Sequence, residues 1–317
     1  MTEEVYLGID TSCYTTSVLF MDRRGRAVTE ARRILKVKPG GCGLQQSEML
    51  YQHTRNLPDL MEQAVKGHDF SVRGIGVSYR PRPLEDSYMP AFLSGQGFAR
   101  SMAALYHVPL WQISHQENHL EAALWSAGGP ETDRFLFLHA SGGTTDLLLV
   151  EKSGSSYTLT EIGSSLDLHA GQFIDRVGVA MGLSFPAGPA MEKLAEQHRE
   201  ICEIPVSVHK TNVSFSGPCT AVLRKLEKGA VPADLAAGVQ WGLAETFVRM
   251  IRNAAGENNI SQVILAGGVS SNQWIRRHVE AKLARRHIKV WVPDSRYSCD
   301  NAAGCAAFAY RQGERHG

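Results

Sequence analysis

The sequence predicts an α/β fold built as two similar lobes, and two observations carry that prediction. The first is an internal echo. YLGIDTSCYTTSVLFMD (6–22) and FLFLHASGGTTDLLLVE (135–151) each read as a strand, a turn of small residues and a second strand. Ser12 falls on Ser141, Thr15 on Thr144 and Thr16 on Thr145, and the apolar runs VLF and LLL coincide. The second is a strand running into a helix later in each half: WQIS into SHQENHLEAALW, and VILA into a long helix beginning near Asn272. Two equivalent hairpins, each opening a half of the chain, predict two lobes with duplicated βαβ-type cores facing each other across a cleft. The expected lobes are 1–128 and 129–299, with the last helix, 300–317, packing back on the first.

Composition sets the limits. The 317 residues include 43% hydrophobic ones, enough for a substantial core, and Lys+Arg 33 against Asp+Glu 32 leaves no bulk pull towards nucleic acid or membrane. Cys13, Cys42, Cys202, Cys219, Cys299 and Cys305 form no CxxC pair, which argues against a zinc ribbon and against a secreted disulfide framework. The acidic N-terminus leads straight into a strand, and no apolar run approaches a membrane span. A cytoplasmic setting is therefore expected, without membrane contact.

The elements follow in order. The hairpin turns are rich in Gly, Ser and Thr, which present N–H groups and hydroxyls to an anion. One such turn alone is more often a plain hairpin; repetition in register favours the phosphate-type reading. VSYRPRPLEDSYMPAF (77–92) reads as an irregular loop in which Arg80 and Arg82 either meet a phosphate or stay solvated. GQGFARSMAALYHVP (95–109) reads as a helix ended by Pro109, and WQIS as a short strand.

SHQENHLEAALW then puts His115 and His119 on one helix face, close enough for two imidazoles to share a cation. Twelve histidines yield on the order of half an HxxxH pair by chance, so spacing alone leaves a metal site and a wet helix face both open. Glu117 does not occupy the HExxH position, and peptide hydrolysis has little support. In SQVILAGGVSSNQWIRRHVEAKLARR (261–286), a Gly-Gly turn leads into a helix, a geometry suited to nucleotide contact. Its Arg276, Arg277, Arg285 and Arg286 face either touches RNA or is solvated. YSCDNAAGCAAFAYRQ (297–312) places Asp300 at or near the N-cap of an Ala-rich helix.

GIDTSC, HQENHLEA, SGGTT, IDRVGVAMGLSFPAGPAMEKLA, VSFSG, LAGGVSSN and DNAAG together resemble, in this order along nearly the whole chain, the motifs of the TsaD family, the tRNA adenosine threonylcarbamoyltransferases. The resemblance implies an actin-like ASKHA fold. It also implies transfer of a threonylcarbamoyl group from threonylcarbamoyl-AMP to N6 of adenosine in tRNA. Carried over by position, His115, His119 and Asp300 become ligands of one divalent metal, Fe2+ or Zn2+. Ala140, Ser141, Gly142 and Gly143 become the acyl-phosphate loop; Asp175, Gly188 and Glu192 become contacts to the sugar and base of an adenine nucleotide or acyl-adenylate, with Asn272 opposite. Each of the latter has a plainer reading: Asp175 as a helix ion pair, Glu192 as a solvated residue, Asn272 as a cap. The implied partners are tRNA, a TsaB-like paralogue or a second copy of the chain, and an ATPase of the TsaE type.

The chain departs from the family at its loops. ETSCDE of the family is DTSCYT here, with Tyr14 and Thr15 replacing acids; SGGHT is SGGTT, with Thr144 replacing histidine; DDAAGEAFD is DLHAGQFID, with Leu168 and Gln172 replacing acids. A Thr15 hydroxyl cannot take up a proton at neutral pH. These losses predict a divergent paralogue and keep two alternatives open: a carbamoyltransferase acting on another acceptor, and a non-catalytic nucleotide-binding partner subunit.

Overall fold

The first apolar run becomes a strand buried on both faces, which is why it shows no alternation. In the computed structural model, which describes residues 2–37 and 44–316, β1 (Glu3–Asp10) turns through residues 11–14 into β2 (Thr15–Asp22), buried throughout. Cys42 lies outside the described residues. β3 (Ala27–Ile34) follows, then α1 (Gln46–Val65), whose buried Met49, His53, Leu57, Leu60 and Ala64 recur at helical spacing. Next come β4 (Phe70–Arg80), α2 (Phe92–Tyr106), β5 (Leu110–Ser114) and α3 (His115–Ala127). The sheet order is β3-β2-β1-β4-β5, with β1, β4 and β5 parallel. α2 begins three residues before the predicted stretch and ends through His107 in the left-handed region, before Pro109 is reached.

At Gly128 the chain passes from one compact unit, Met1–Gly128 with Cys299–Gly317, to a second, Gly129–Ser298. The second contains β6 (Arg134–Ala140), β7 (Thr145–Ser153), β8 (Ser156–Ser164), α4 (Ala170–Ala180) and α5 (Gly188–Ala195). A short ladder of β9 (Val208–His209) and β10 (Asn212–Val213) precedes α6 (Ser216–Glu227) and the 27-residue α7 (Pro232–Asn258), which is buried along most of its length. β11 (Gln262–Ala266), α8 (Gln273–Ala284) and β12 (Lys289–Trp291) complete it. α9 (Ala303–His316) then belongs to the first unit, lying against β1 and β4. A Cβ at Gly8 would fall on the Ala302 carbonyl, and one at Gly76 on that of Cys305, so this close approach requires glycine at both positions.

The repeat read in the sequence is a repeat in pairing. Ile9 faces Val18 and Asp10 faces Ser17 in the first hairpin; Leu138 faces Leu147 and His139 faces Asp146 in the second, which are the same positions after the shift that aligns the two sequences. The second sheet, β12-β11-β6-β7-β8, reproduces the first strand for strand: an antiparallel pair extends it on one side and two parallel strands on the other. Each parallel pair at the edge is joined by a crossover helix, α2 in one unit and α8 in the other.

Candidate functional site

α3 is started by a capping box. Ser114 Oγ accepts from the Glu117 backbone N–H at 3.2 Å, and Glu117 Oε2 accepts from the Ser114 N–H at 2.7 Å. Glu117 is thus engaged at the helix start, and the HExxH-like appearance of the stretch comes from a cap. With the first turn fixed, the rings of His115 and His119 face one another through their Nε2 atoms, 3.1 Å apart.

Asp300 reaches the pair because α9 is held against α3. Asn118, between the two histidines, donates from Nδ2 to the Asn301 carbonyl at 2.8 Å and accepts at Oδ1 from the Cys305 N–H at 2.8 Å. A Cβ at Gly304 would overlap the Asn118 carbonyl. The capping expected near Asp300 is supplied by its neighbour: Asn301 Oδ1 accepts from the Ala303 N–H at 2.8 Å. The Asp300 carboxylate faces the imidazoles, its Oδ1 3.4 Å from His119 Nε2 and 3.6 Å from His115 Nε2.

These three residues could hold a metal ion, their ligand atoms all lying within 4.8 Å of one another. The spacing fits. Bonds of about 2.0–2.2 Å put donor atoms about 3.3–3.6 Å apart at tetrahedral angles and about 2.8–3.1 Å apart at octahedral ones, which brackets the three separations. Two nitrogens and one oxygen suit a borderline first-row ion. Burial, reinforced by His119 and opposed by Asp300, pushes His115 down to about 3, so its nitrogen is not blocked by a proton at neutral pH.

Asp10 is the residue that motif reading passed over. It ends β1 fully buried, with Oδ2 accepting from Ser12 Oγ at 2.8 Å and Oδ1 accepting from Ser78 Oγ. Burial and the charge of Asp300 push its carboxyl up to about 7 against those hydroxyls. The signal available in the sequence was a carboxylate directly after the buried run VYLGI (5–9), where a charge is costly without a purpose. Beneath the same turn, His53 of α1 has Nε2 3.1 Å from the Cys13 carbonyl and Nδ1 2.8 Å from Thr16 Oγ1. A carbonyl only accepts, so Nε2 carries the proton and Nδ1 takes the threonine hydroxyl. Burial pushes His53 down to about 4, which keeps it neutral.

The residues matched to nucleotide contacts lie in the second unit. In the loop after β6, the Ser141 N–H donates to the Thr144 carbonyl at 2.8 Å, and the Ser141 carbonyl accepts from the Gly171 N–H at 3.0 Å. The loop therefore sits on the N-terminus of α4, where the helix dipole favours an anion. Asp175 Oδ1 accepts from the Ala187 N–H at 2.7 Å, just before Gly188 opens α5. Glu192 Oε1 accepts from the Gln273 N–H at 2.8 Å. Asn272 caps α8 through Ile275 at 2.9 Å and donates to Gln240 Oε1 at 3.0 Å.

Glu192, Gln240, Ser271, Gln273, Trp274 and Arg277 line a cavity of about 460 Å³; Gly188 and Asn272 adjoin lining residues along the chain, whereas Asp175 and residues 140–143 do not line it. The plainer readings resolve individually. Asn272 is a cap, whereas Asp175 takes a backbone N–H in place of an ion pair, and Glu192 ties α5 to the start of α8. In the Gly-Gly turn, Gly267 has φ +98 and its Cβ would meet the Ala140 carbonyl, so packing against β6 explains that glycine. Arg276 is half-buried, donating to the Ser270 carbonyl at 2.5 Å and the Pro293 carbonyl at 3.4 Å, and Arg80, which ends β4 and is not in the loop expected over 77–92, donates to the Leu84 carbonyl at 2.9 Å. At the replaced positions, Tyr14 is exposed, while Thr15 and Leu168 are buried. Gln172 closes a capping box with His169 at the start of α4.

Known proteins resemble this chain in sequence and in fold. A model of the TsaD family, tRNA N6-adenosine threonylcarbamoyltransferase, matches residues 30–307. The chain is 31% identical over 270 residues to the tRNA N6-adenosine threonylcarbamoyltransferase of Methanopyrus kandleri, covering 84% of this chain and 76% of that protein. It is 32% identical over 313 residues to that of Thermus thermophilus, covering 98% and 93%. Among solved structures, a ROK family glucokinase from Streptomyces griseus superposes with a TM-score of 0.56 at 12% identity, covering 99% of this chain and all of that one, which shows an actin-like ASKHA fold. With the family match running from β3 into α9 and relatives similar along most of their length, the chain belongs to the TsaD family of tRNA threonylcarbamoyltransferases.

Proposed function

We propose that this chain transfers a threonylcarbamoyl group from threonylcarbamoyl-AMP to N6 of adenosine in tRNA, with His115, His119 and Asp300 holding one divalent ion, Fe2+ or Zn2+. The observation that supports this reading most is the convergence of two Nε2 atoms and one carboxylate oxygen at 3.1–3.6 Å. When bound, such an ion supplies Lewis-acid polarisation of a carbonyl or phosphate oxygen. The remaining work falls to the chain. The N–H groups of Gly142 and Gly143, backed by the α4 N-terminus, hold the phosphate. Asp175 and Glu192 each engage one carboxylate oxygen with a backbone N–H, which leaves the other to accept from a ribose hydroxyl. A TsaB-like paralogue or a second copy, and a TsaE-type ATPase, complete the proposed assembly.

Tyr14 and Thr15 favour a second reading, carbamoyl transfer to a different acceptor, because no carboxylate stands where the family places acids beside the reacting amine. Expression in a strain depleted of its own TsaD separates the two. Recovery of threonylcarbamoyladenosine in digested tRNA, lost on Asp300→Ala, is the expected result. No recovery from a folded, metal-loaded protein would exclude tRNA as acceptor. A nucleotide titration that shows no binding would exclude both transfer readings.

A further inference from the structure

We propose that Asp10 is a positioning residue for this metal site, its carboxylate accepting the Nδ1–H of His115 when Nε2 binds the ion. The inference rests on the metal reading above and deepens it. An imidazole that offers Nε2 to a cation carries its proton on Nδ1, and metal-bound histidines almost always pass that N–H to a carboxylate, carbonyl or water. The Nε2 of His115 points at His119 and Asp300, so Nδ1 points the other way. That Nδ1 is buried and has no hydrogen-bond partner among the described residues, an uncommon condition for a buried polar atom.

Asp10 Oδ1 lies 4.0 Å from that Nδ1. A ring rotation that closes about 1 Å makes the hydrogen bond. Oδ1 already accepts from Ser78, and a carboxylate oxygen has a second lone pair for the imidazole. Ser12 and Ser78 fix the plane of the carboxylate from two sides. β1, paired on both edges by β2 and β4, fixes its position. A neutral side chain could satisfy the two serine hydroxyls. A carboxylate additionally orients the ring and makes Nε2 a stronger donor to the ion.

Titration of the full-length chain with Co2+ and Zn2+ tests this. Wild type is expected to bind one ion per chain. Asp10→Asn, which keeps the shape, and Asp10→Ala are expected to bind about 10- to 100-fold more weakly at the same stoichiometry, with an altered Co2+ absorption spectrum. In the Zn2+-loaded wild type, the His115 Nδ1–H should give a 15N–1H correlation that Asp10→Ala loses. Should Asp10→Ala fail to fold, the isosteric variant carries the test. Wild-type affinity and an unchanged spectrum in Asp10→Asn, with binding still lost in His115→Ala, would overturn the role of Asp10 and leave the metal site standing. Wild-type affinity in His115→Ala would overturn both.

Discussion

His53 ties stability to pH through a single buried ring. Burial lowers its folded pKa to about 4, below the unfolded value near 6.5, so the native state binds fewer protons across that window. Its contribution is intact above pH 6.5 and is lost as pH falls towards 4, by about 3 kcal/mol in all. Denaturant unfolding at pH 7.5 and 4.5 should show a steeper acid loss in wild type than in His53→Gln; equal losses would refute the assignment. Glu121, pushed up to about 7 by burial against the pull of Arg311, acts in the opposite sense, losing stability as pH rises from 4.5 to 7. It is common to both proteins and cancels from the comparison. At this scale the His115 and His119 pair was legible, because helical spacing is local. Asp10 was not, because nothing in its neighbourhood along the chain shows that His115 lies beside it.

Between elements, the α3–α9 contact decides whether there is a site. Asn118 satisfies one backbone acceptor and one backbone donor of the turn into α9, both across a buried contact. Asn118→Ala should therefore lower unfolding free energy by about 2–4 kcal/mol, since it leaves two buried backbone groups without partners. It should also weaken metal binding by releasing the segment that carries Asp300. Calorimetry on the metal-free and Zn2+-titrated variants measures both, and a stability loss with unchanged metal affinity would show that Asp300 is held by other contacts. Most element positions followed from pattern: the Asn272 cap is in its predicted place, and WQIS is a strand. The displaced details have local causes. Hydrogen bonding chose Asn301 over Asp300 as the cap, and the Glu117 side chain turned back to the helix start, a conformation that residue type alone does not specify.

For the whole molecule, charge balance is the relevant quantity. With Lys+Arg 33 and Asp+Glu 32, few phosphate contacts are expected from the chain alone, and the salt dependence of binding grows with their number. Its affinity for tRNA should therefore change less than about tenfold between 50 and 200 mM salt. Filter binding at the two concentrations checks this, and a fall of a thousandfold would reveal a basic surface that net charge conceals. By itself the sequence determined the duplicated hairpins, down to their register, because apolar runs and turn residues act over a few positions and recur at one shift. It also determined the paired histidines, for the same reason of locality. The family resemblance implied that Asp300 joins those histidines; the tertiary structure alone decided how it reaches them and that Asp10 stands beside His115. The place of Asp300 depends on α9 lying close against β1 and β4, which Gly8 and Gly76 permit, and against α3, which Gly304 permits and Asn118 holds. Such contacts join segments from opposite ends of the chain, and no periodicity records them.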